Sequence, residues 1–386
     1  MTGFRASVVT LAAAWSVISC GNGVSPPRQI GEIAIPNNPP KFVFDISYVD
    51  SGRYYIADRT NKALSVFDTN NYSTITVVPG FFGIAKNGSP DESGPDGVLG
   101  VPGSNLIFVG DVASVKIVDM AANPPAIIKT ISINPPGATK PSKFRADEGC
   151  YDPDDRLMLF AHPGDDIPFM TWISTETQSI VAQLATTDNS TGLEQCVYDS
   201  GTKSFYINND GTDTNPQGEV DVIPAASVVA KNPTVSKSYP LPTCGQPTGL
   251  TLGPGQEMFV ACTQDATKKL SSPIIDRTTG KTIVDLPIGG ADQVVYDSAT
   301  NRYLAPLRFW TADGVSLGRN TAGAAYTPVL AAIDATSHAV MVKIPAGPNV
   351  HSIAIDSDRH KAFVPHNSGA STGNYALPGI SVFSTD

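Results

Sequence analysis

A pattern of about 50 residues recurs along this 386-residue chain, and it constrains the fold more than any other feature. Each copy contains an apolar run ending in Asp, a short polar turn, a second apolar run, a loop, and a third run ending in Asp or Ser. The turn D-S-x-x-x is plainest at residues 196–210, 293–307 and 352–366. The same register identifies four further copies, so the chain contains seven repeats.

Each repeat supplies enough apolar runs for four short strands. Third strands are expected at residues such as 63–68 and 329–334, and fourth strands at residues such as 281–288 and 339–346. Four short strands per repeat are typical of a β-propeller blade. Because the runs are continuously apolar rather than alternating, the sheets are expected to be buried on both faces.

The two ends of the chain complement each other. The seventh repeat ends after its third strand, and a strand-like segment at residues 29–36 precedes the first repeat. An N-terminal strand that completes the last blade would leave no unpaired edge there. The sequence therefore predicts an all-β, seven-bladed β-propeller with four antiparallel strands per blade, closed by its N-terminal strand.

Composition narrows the classes of partner. Only 16% of residues are charged, against about 25% in an average soluble domain. The 36 acidic and 26 basic residues give a formal net charge of -10. This balance argues against a nucleic-acid groove or an anionic membrane surface.

The first 20 residues predict export. Arg5 is the only charge before Cys20, and the apolar stretch 7–19 is shorter than a transmembrane helix. We expect a signal peptide at 1–19, a tether at 20–28 and a single propeller domain at 29–386. Residues 17–20 resemble a bacterial lipobox, which predicts a lipid anchor on Cys20 in the periplasm or outer membrane. The alternative is a plain secretory signal and a secreted protein.

Four cysteines remain in the expected domain. Cys150, Cys196, Cys244 and Cys262 allow three complete pairings. The repeat register places Cys244 and Cys262 beside one end of blade five, which favours a disulfide between them. Cys150 and Cys196 fall at equal depth in neighbouring first strands and are expected to be small buried apolar residues unless their sulfurs approach.

The repeats also carry a family resemblance. Residues 53–71 (RYYIADRTNKALSVFDTNN), with FYINND and AFVPHN, resemble the YVTN-type repeats of YncE-like and lactonase-like seven-bladed propellers. The likeness covers nearly the whole mature chain, although no copy contains the string YVTN. The resemblance implies the propeller fold. Members of these families range from binding proteins to sugar-lactone hydrolases, so it implies a function of one of these kinds.

In a propeller, the starts of the first strands converge at one channel mouth. Six of these seven positions carry a carboxylate or an imidazole: Asp45, Asp96, Glu148, Glu194, Thr248, Asp292 and His351. If the alignment of blade three with the other repeats is shifted by one residue, Asp147 takes the ring position instead of Glu148. Crowded carboxylates can bind Ca²⁺ or another divalent cation, share a proton, or simply line a wet channel. The expected metal ligands are Asp45, Asp96, Glu194 and Asp292.

General acid-base chemistry requires titratable groups beside such carboxylates. The candidate catalytic residues are Glu148, Glu194, His162, His351 and His366. Oxygen-bearing side chains at 208–215 form a weak candidate ion site. No motif indicates a nucleotide or an organic cofactor.

Long insertions at 210–218, 309–326 and 367–378 are expected on the same face. The candidate ligand-binding residues are Arg308, Trp310, Tyr326 and Tyr375. These side chains would suit a sugar, an aromatic acid or another anionic small molecule, or they pack the loops down.

Two classes of function follow. The first is an exported cell-envelope module, expected to be monomeric, that binds a small molecule or a protein on its loop-rich channel face. The second is a lactonase-like hydrolase or lyase, in which a divalent cation held by the acidic ring polarises a carbonyl group. A tightly bound divalent ion would favour the second class.

Overall fold

Seven four-stranded antiparallel sheets form the propeller that the repeats predict. The structure is a computed structural model that describes residues 26–263, 270–319, 321–369 and 375–386. The expected signal peptide and Cys20 lie outside the described residues. No helix in the described part of the chain is long and apolar enough to cross a membrane.

Each sheet is one blade, and its strands are numbered along the chain. The innermost strands are β2 (Phe44–Asp50), β6 (Val98–Gly100), β10 (Gly149–Asp152), β14 (Leu193–Asp199), β18 (Pro247–Leu252), β22 (Val295–Asp297) and β26 (Ala354–Asp356). The second strands are β3 (Arg53–Asp58), β7 (Leu106–Asp111), β11 (Leu157–His162), β15 (Ser204–Asn209), β19 (Glu257–Cys262), β23 (Arg302–Leu307) and β27 (Lys361–His366).

The outer half of each blade follows the same order. The third strands are β4 (Ala63–Asp68), β8 (Ser114–Asp119), β12 (Phe169–Ser174), β16 (Glu219–Pro224), β20 (Ser272–Asp276), β24 (Val329–Asp334) and β28 (Gly379–Ser384). The outermost strands are β5 (Thr74–Pro79), β9 (Ala126–Ser132), β13 (Ser179–Ala185), β17 (Lys237–Pro240), β21 (Thr282–Leu286), β25 (Val340–Pro345) and, in blade seven, β1 (Arg28–Ala34). A short helix, α1 (Ala225–Val229), follows β16, and a 3-10 turn at Ser357–Arg359 follows β26.

The N-terminal strand closes the ring as predicted. β1 pairs antiparallel with β28, with Ile33 opposite Ile380. Ile33 is buried and packs in one cluster with Ile380 and with Tyr54 of blade one. The first described strand therefore joins the last blade to the first.

The Asp residues that end the strands hold the turns that follow. In the first turn of a blade, Asp199 accepts from the backbone N–H of Gly201 at 3.2 Å, and Asp297 accepts from that of Ala299 at 3.1 Å. In a second turn, Asp334 accepts from the N–H of Ser337 at 2.7 Å. These Asx turns explain why the repeat carries Asp at strand ends.

The apolar core is divided among the blade interfaces. Seven buried clusters each join two neighbouring sheets, as in the cluster that packs Leu159 and Trp172 of blade three against Phe205 of blade four. This arrangement matches the expectation of sheets covered on both faces.

Two disulfides reinforce blades three to five. Cys244 pairs with Cys262 across a Cα separation of 5.2 Å, which is the pairing that the repeat register favours. Cys150 pairs with Cys196, with Cα atoms 5.6 Å apart. The bridge between Cys150 and Cys196 joins the innermost strands of neighbouring blades. The sequence predicts this bond only if the two sulfur atoms lie close enough, and in the structure they do.

Candidate functional site

Local irregularities aim several first-strand side chains into the channel mouth. In β2 the pairing jumps from Phe44 opposite Asp58 to Ser47 opposite Ile56, so Asp45 lies on a bulge. β14 and β18 show the same jump around Glu194 and around Thr248. Bulges redirect side chains without interrupting the sheet.

The channel mouth contains a cavity of about 430 Å³. It is lined mainly by charged and amide side chains: Asp45, Arg59, Asp91, Arg145, Asp147, Glu148, Glu194, Asp210, Gln246, Asp292, Arg308, Arg319 and His351. Five of the seven predicted ring residues are among them.

The other two predicted ring residues are buried beside the cavity. Asp96 is fully buried and contacts Arg59. Thr248 is also fully buried, and its hydroxyl donates to the carbonyl oxygen of Ala291 at 2.8 Å. Both candidates for the ring position in blade three, Asp147 and Glu148, line the cavity.

Two arginines that sequence reasoning missed neutralise one side of the cavity. The guanidinium of Arg59 contacts both Asp45 and Asp96. Arg145 donates to Asp45 at 3.1 Å and lies 2.7 Å from Asp147. Arg59 directly follows β3, and Arg145 precedes β10. Neither arginine lies at the start of a first strand, the position that defines the predicted ring.

The arginines give the carboxyl groups opposite protonation behaviour. Burial alone would raise the pKa of Asp45, but Arg59, with His351 and Arg145, holds it well below its usual range. Burial, with repulsion from neighbouring carboxylates, raises the pKa of Glu148 and Glu194 well above the usual range. Burial also raises the pKa of Asp147 to about 7 despite Arg145.

Glu148 and Glu194 face the cavity without partners. Among the described residues, neither carboxyl group has a hydrogen bond or an ion pair, although Glu148 is only 3% exposed. Asp210 accepts one hydrogen bond, from the amide of Gln246 at 2.7 Å, and burial raises its pKa to about 7. These three groups lie on blades three and four.

Two amide side chains, each directly following a cavity residue in sequence, form hydrogen bonds between blades. The Gln195 Oε1 atom accepts from the backbone N–H of Leu250 at 2.7 Å and from that of Val294 at 3.2 Å. Gln293 accepts from Ser352 at 2.7 Å. The bonds of Gln195 join blade four to blades five and six, and that of Gln293 joins blade six to blade seven.

Blade six contributes cations. Arg308 lies 2.9 Å from Asp292, and its guanidinium lies over the ring of Phe309. The insertion after β23 folds back through backbone bridges that join Trp310 to Ser316 and Thr311 to Tyr326. This fold brings the exposed Arg319 to the cavity.

The aromatic candidates lie elsewhere. Trp310 is 9% exposed, and the ammonium of Lys343 lies over its ring. The ring of Tyr326 packs against Phe309, and its hydroxyl donates to the carbonyl oxygen of Gly318 at 2.5 Å. Neither side chain lines the channel-mouth cavity, so in the structure both serve to pack the insertion.

The three candidate histidines occupy different environments. His351 lines the cavity, stacks on Phe44 and has its Nε2 atom 3.6 Å from Asp45. His162 is buried against Phe169 outside the lining, and burial lowers its pKa to about 3. Of the three candidate histidines, His351 is therefore the one that lies beside the carboxyl groups of the channel-mouth cavity.

His366 belongs to a second cavity, of about 560 Å³, beside β1. Its Nε2 atom lies 2.5 Å from a carboxylate oxygen of Glu32, and its ring meets that of Tyr375 edge-on. Tyr375 donates to the carbonyl oxygen of Pro345. Two predicted site residues, His366 and Tyr375, are thus separated from the acidic ring.

The predicted metal ligands do not form one compact group. Among the residues that the structure describes, the three carboxylates whose oxygens lie within 4.8 Å of one another are Asp45, Asp96 and Asp147. Arg59 and Arg145 already contact all three. Glu194 and Asp292 line the same cavity but are not members of this group.

The candidate ion site at residues 208–215 is used internally. Asn208 donates to the carbonyl oxygen of Gly249, and Asn209 donates to Asp221. Asp213 accepts from Asn189. Within this segment, Asp210 is the residue that reaches the channel-mouth cavity.

Comparisons with known proteins support the fold. Hydrazine synthase of Kuenenia stuttgartiensis matches with a TM-score of 0.62 and 13% identity over 86% of this chain and 93% of that chain. U3-55K matches with a TM-score of 0.64 and 9% identity over 92% and 98%. The Pan2 WD40 domain of Neurospora crassa matches with a TM-score of 0.60 and 12% identity over 93% and 95%.

No family model and no curated protein sequence matches the chain. At the low identities of the structural matches, the likeness establishes the fold and leaves chemistry to the site itself. The YVTN-type resemblance stays a prediction.

Proposed function

We propose that the chain is an exported cell-envelope β-propeller that binds a small polar molecule in the channel-mouth cavity. The observation that carries this proposal is Glu148, a buried carboxyl group that faces the cavity without a partner among the described residues. Its carboxyl oxygens are open to the cavity, so they are available to hydrogen-bond a ligand there.

The shape of the site favours a small molecule over a protein partner. Ligand pockets have volumes of roughly 300–1,000 Å³, and the cavity of about 430 Å³ falls within this range. The ion pairs of Arg59 and Arg145 with Asp45 hold one side of the cavity in place. A rigid site of this kind loses little entropy on binding.

Two further observations support the export part of the proposal. Disulfides form and persist in oxidising compartments, and this chain has two, Cys150 to Cys196 and Cys244 to Cys262. The first 19 residues have the charge and hydrophobicity of a signal peptide. We propose that a lipid is attached at Cys20 and anchors the chain. Without that lipid, the chain would be released into the medium or periplasm.

A thermal-shift screen tests the binding proposal. Sugars, sugar acids, amino acids and polyamines are added singly to the wild-type protein and to Glu148→Ala. A true ligand at 100 times its Kd stabilises the wild type by about 2.7 kcal/mol and stabilises the variant less. Glu176→Gln, an exposed position on the opposite face, is the control. The proposal fails if no compound shifts the wild-type melt, or if wild type and Glu148→Ala respond equally.

The metal-dependent hydrolase is a second candidate because Asp45, Asp96 and Asp147 lie close together. A cation there would polarise a substrate carbonyl, with Glu148 or His351 available to move a proton. It would have to displace Arg59 and Arg145, which is why binding is the preferred proposal. Elemental analysis and melting with and without a chelator test this candidate, as does loss of activity on lactones in Asp96→Asn and Asp147→Asn.

A further inference from the structure

The charged groups of the channel-mouth cavity are unevenly distributed. On the side of blades one to three, the carboxylates of Asp45 and Asp147 have arginine partners. On the side of blades three and four, Glu148, Glu194 and Asp210 have no basic side chain within ion-pair distance in the described ranges. This wall therefore carries three carboxyl groups in excess of its cations.

The opposite wall has a cation in excess. Arg319 is exposed, and its guanidinium makes no ion pair or hydrogen bond with any residue that the structure describes. The neighbouring Arg308 pairs with Asp292, and its Nε atom is buried without an acceptor. Both belong to blade six, which lies across the seven-bladed ring from blade three and two blades from blade four. Arg319 therefore also attracts the carboxyl group of Asp210, and Arg308 attracts that of Glu194, without forming an ion pair.

The geometry points to a small zwitterion as the ligand, a molecule such as a free amino acid that carries both an ammonium group and a carboxylate. The ammonium would donate its hydrogen bonds to Glu148, Glu194 and Asp210. It would also favour the ionised form of Glu148 and Glu194, which burial keeps protonated in the free protein. The carboxylate would accept a paired hydrogen bond from Arg319. This inference rests on the proposed function, since both concern the same cavity.

Other ligand classes satisfy only part of the site. A divalent cation would use the surplus carboxyl groups but leave Arg319 without a partner. A sugar acid would satisfy Arg319 but bring no cation to Glu148 and Glu194. A neutral sugar would meet neither charge. Only a ligand with both charges complements both walls, and charge complementarity sets specificity.

Calorimetric titration tests the inference with chemical variants of one probe. Each of the common amino acids is titrated into the full chain, and the tightest binder is compared with its N-acetyl derivative and its amide, at a pH where the free amines are protonated. N-acetylation removes the cation, and amidation removes the anion. Each derivative is expected to bind at least about tenfold more weakly than the parent amino acid.

Protein variants then assign each charge to a wall. Arg319→Gln should weaken binding of the amino acid about tenfold but leave binding of its amide unchanged, because the amide has no carboxylate for Arg319. Glu194→Gln should weaken binding of the amino acid and leave the N-acetyl derivative unchanged. Arg156→Gln, in an exposed turn on the other face, should bind all three compounds like the wild type.

Three results would overturn the zwitterion. They are equal affinity for the amino acid and its N-acetyl derivative, equal affinity for the amino acid and its amide, and stoichiometric binding of Ca²⁺ or a neutral sugar with no response to any amino acid. In each case a ligand still binds, so the proposed function stands. If no compound of any class binds, the proposed function fails as well.

Discussion

Asp45 and Glu148 show how neighbours decide what a buried carboxyl group does. Both are at least nine-tenths buried and line the same cavity. Asp45 contacts two guanidinium groups and is held ionised, whereas Glu148 has none and its pKa is raised well above the usual range by burial. Asp45 therefore holds the site together, and Glu148 is available to a ligand.

This contrast predicts opposite stability effects for two isosteric substitutions. Glu148→Gln should leave the melting temperature nearly unchanged, since a protonated carboxyl and an amide are alike in charge. Asp45→Asn leaves Arg59 buried without its full complement of charge, and breaking a buried ion pair costs about 3–5 kcal/mol. Chemical denaturation of both variants measures the difference; equal losses would contradict the assigned charge states.

Asp210 makes stability depend on pH near neutrality. Burial raises its pKa to about 7, against an ordinary value near 3.8, so between these values the folded chain holds a proton that the unfolded chain has lost. Its contribution to stability is therefore present at low pH and decreases as the pH rises through this window.

Denaturation of the wild type and Asp210→Asn at several pH values checks this prediction. The variant cannot ionise at this position, so its stability should fall less steeply from pH about 4 to about 7 than that of the wild type. Parallel profiles would show that Asp210 titrates normally in the folded protein.

At the scale of elements, the outermost strands share a device that protects the sheet edges. In β5, β9, β13, β21, β25 and β1 the register against the third strand shifts by one residue. The extra residue is Ile75 in β5, Ile283 in β21 and Met341 in β25, and each is more than 40% exposed. Bulges twist an edge strand away from pairing with another chain.

The closing strand β1 offers a matched pair of substitutions. Ile33 is buried between blades seven and one, whereas Ile30 occupies the bulge of β1 and is 41% exposed. Ile33→Asp should prevent stable closure, as should deletion of residues 29–36. Ile30→Asp should fold like the wild type. Circular dichroism and gel filtration check both, and a well-folded deletion product would disprove closure by β1.

The bridge from Cys150 to Cys196 positions the two unpartnered carboxyl groups. Glu148 and Glu194 each precede a bridged cysteine by two residues, so the disulfide sets the spacing of the strands that carry them. Replacing both cysteines by Ser should cost about 2–4 kcal/mol of stability. The double substitution should also weaken ligand binding. Unchanged affinity in a folded double variant would contradict this prediction.

At the scale of the whole molecule, the fold was predictable because each blade repeats the same local signals. The predicted third strand at 63–68 coincides with β4, and the Asp residues that marked the repeat hold its turns. The converging ring was predictable for the same reason: Asp45 and Glu194 hold equivalent positions in their blades.

The ion pairs between arginines and carboxylates in the cavity could not be predicted from the repeat pattern. Arg59 follows the second strand of blade one, the blade that carries Asp45, but it also contacts Asp96 of blade two. Arg145 precedes blade three and meets Asp45 only when the blades assemble around the channel. The insertion that carries Arg319 is longer than those at 210–218 and 367–378, and its path depends on packing specific to Trp310 and Tyr326. Local pattern determines the blades, and contacts distant in sequence determine the chemistry.

The most direct test of the account is calorimetric titration of the best stabiliser from the thermal-shift screen into the wild type and into a Glu148→Gln, Glu194→Gln double variant. We expect one site per chain in the wild type, affinity at least about tenfold weaker in the variant, and equal melting temperatures of the two proteins without ligand. Equal affinity in the two proteins would show that the ligand binds elsewhere and would contradict the central claim.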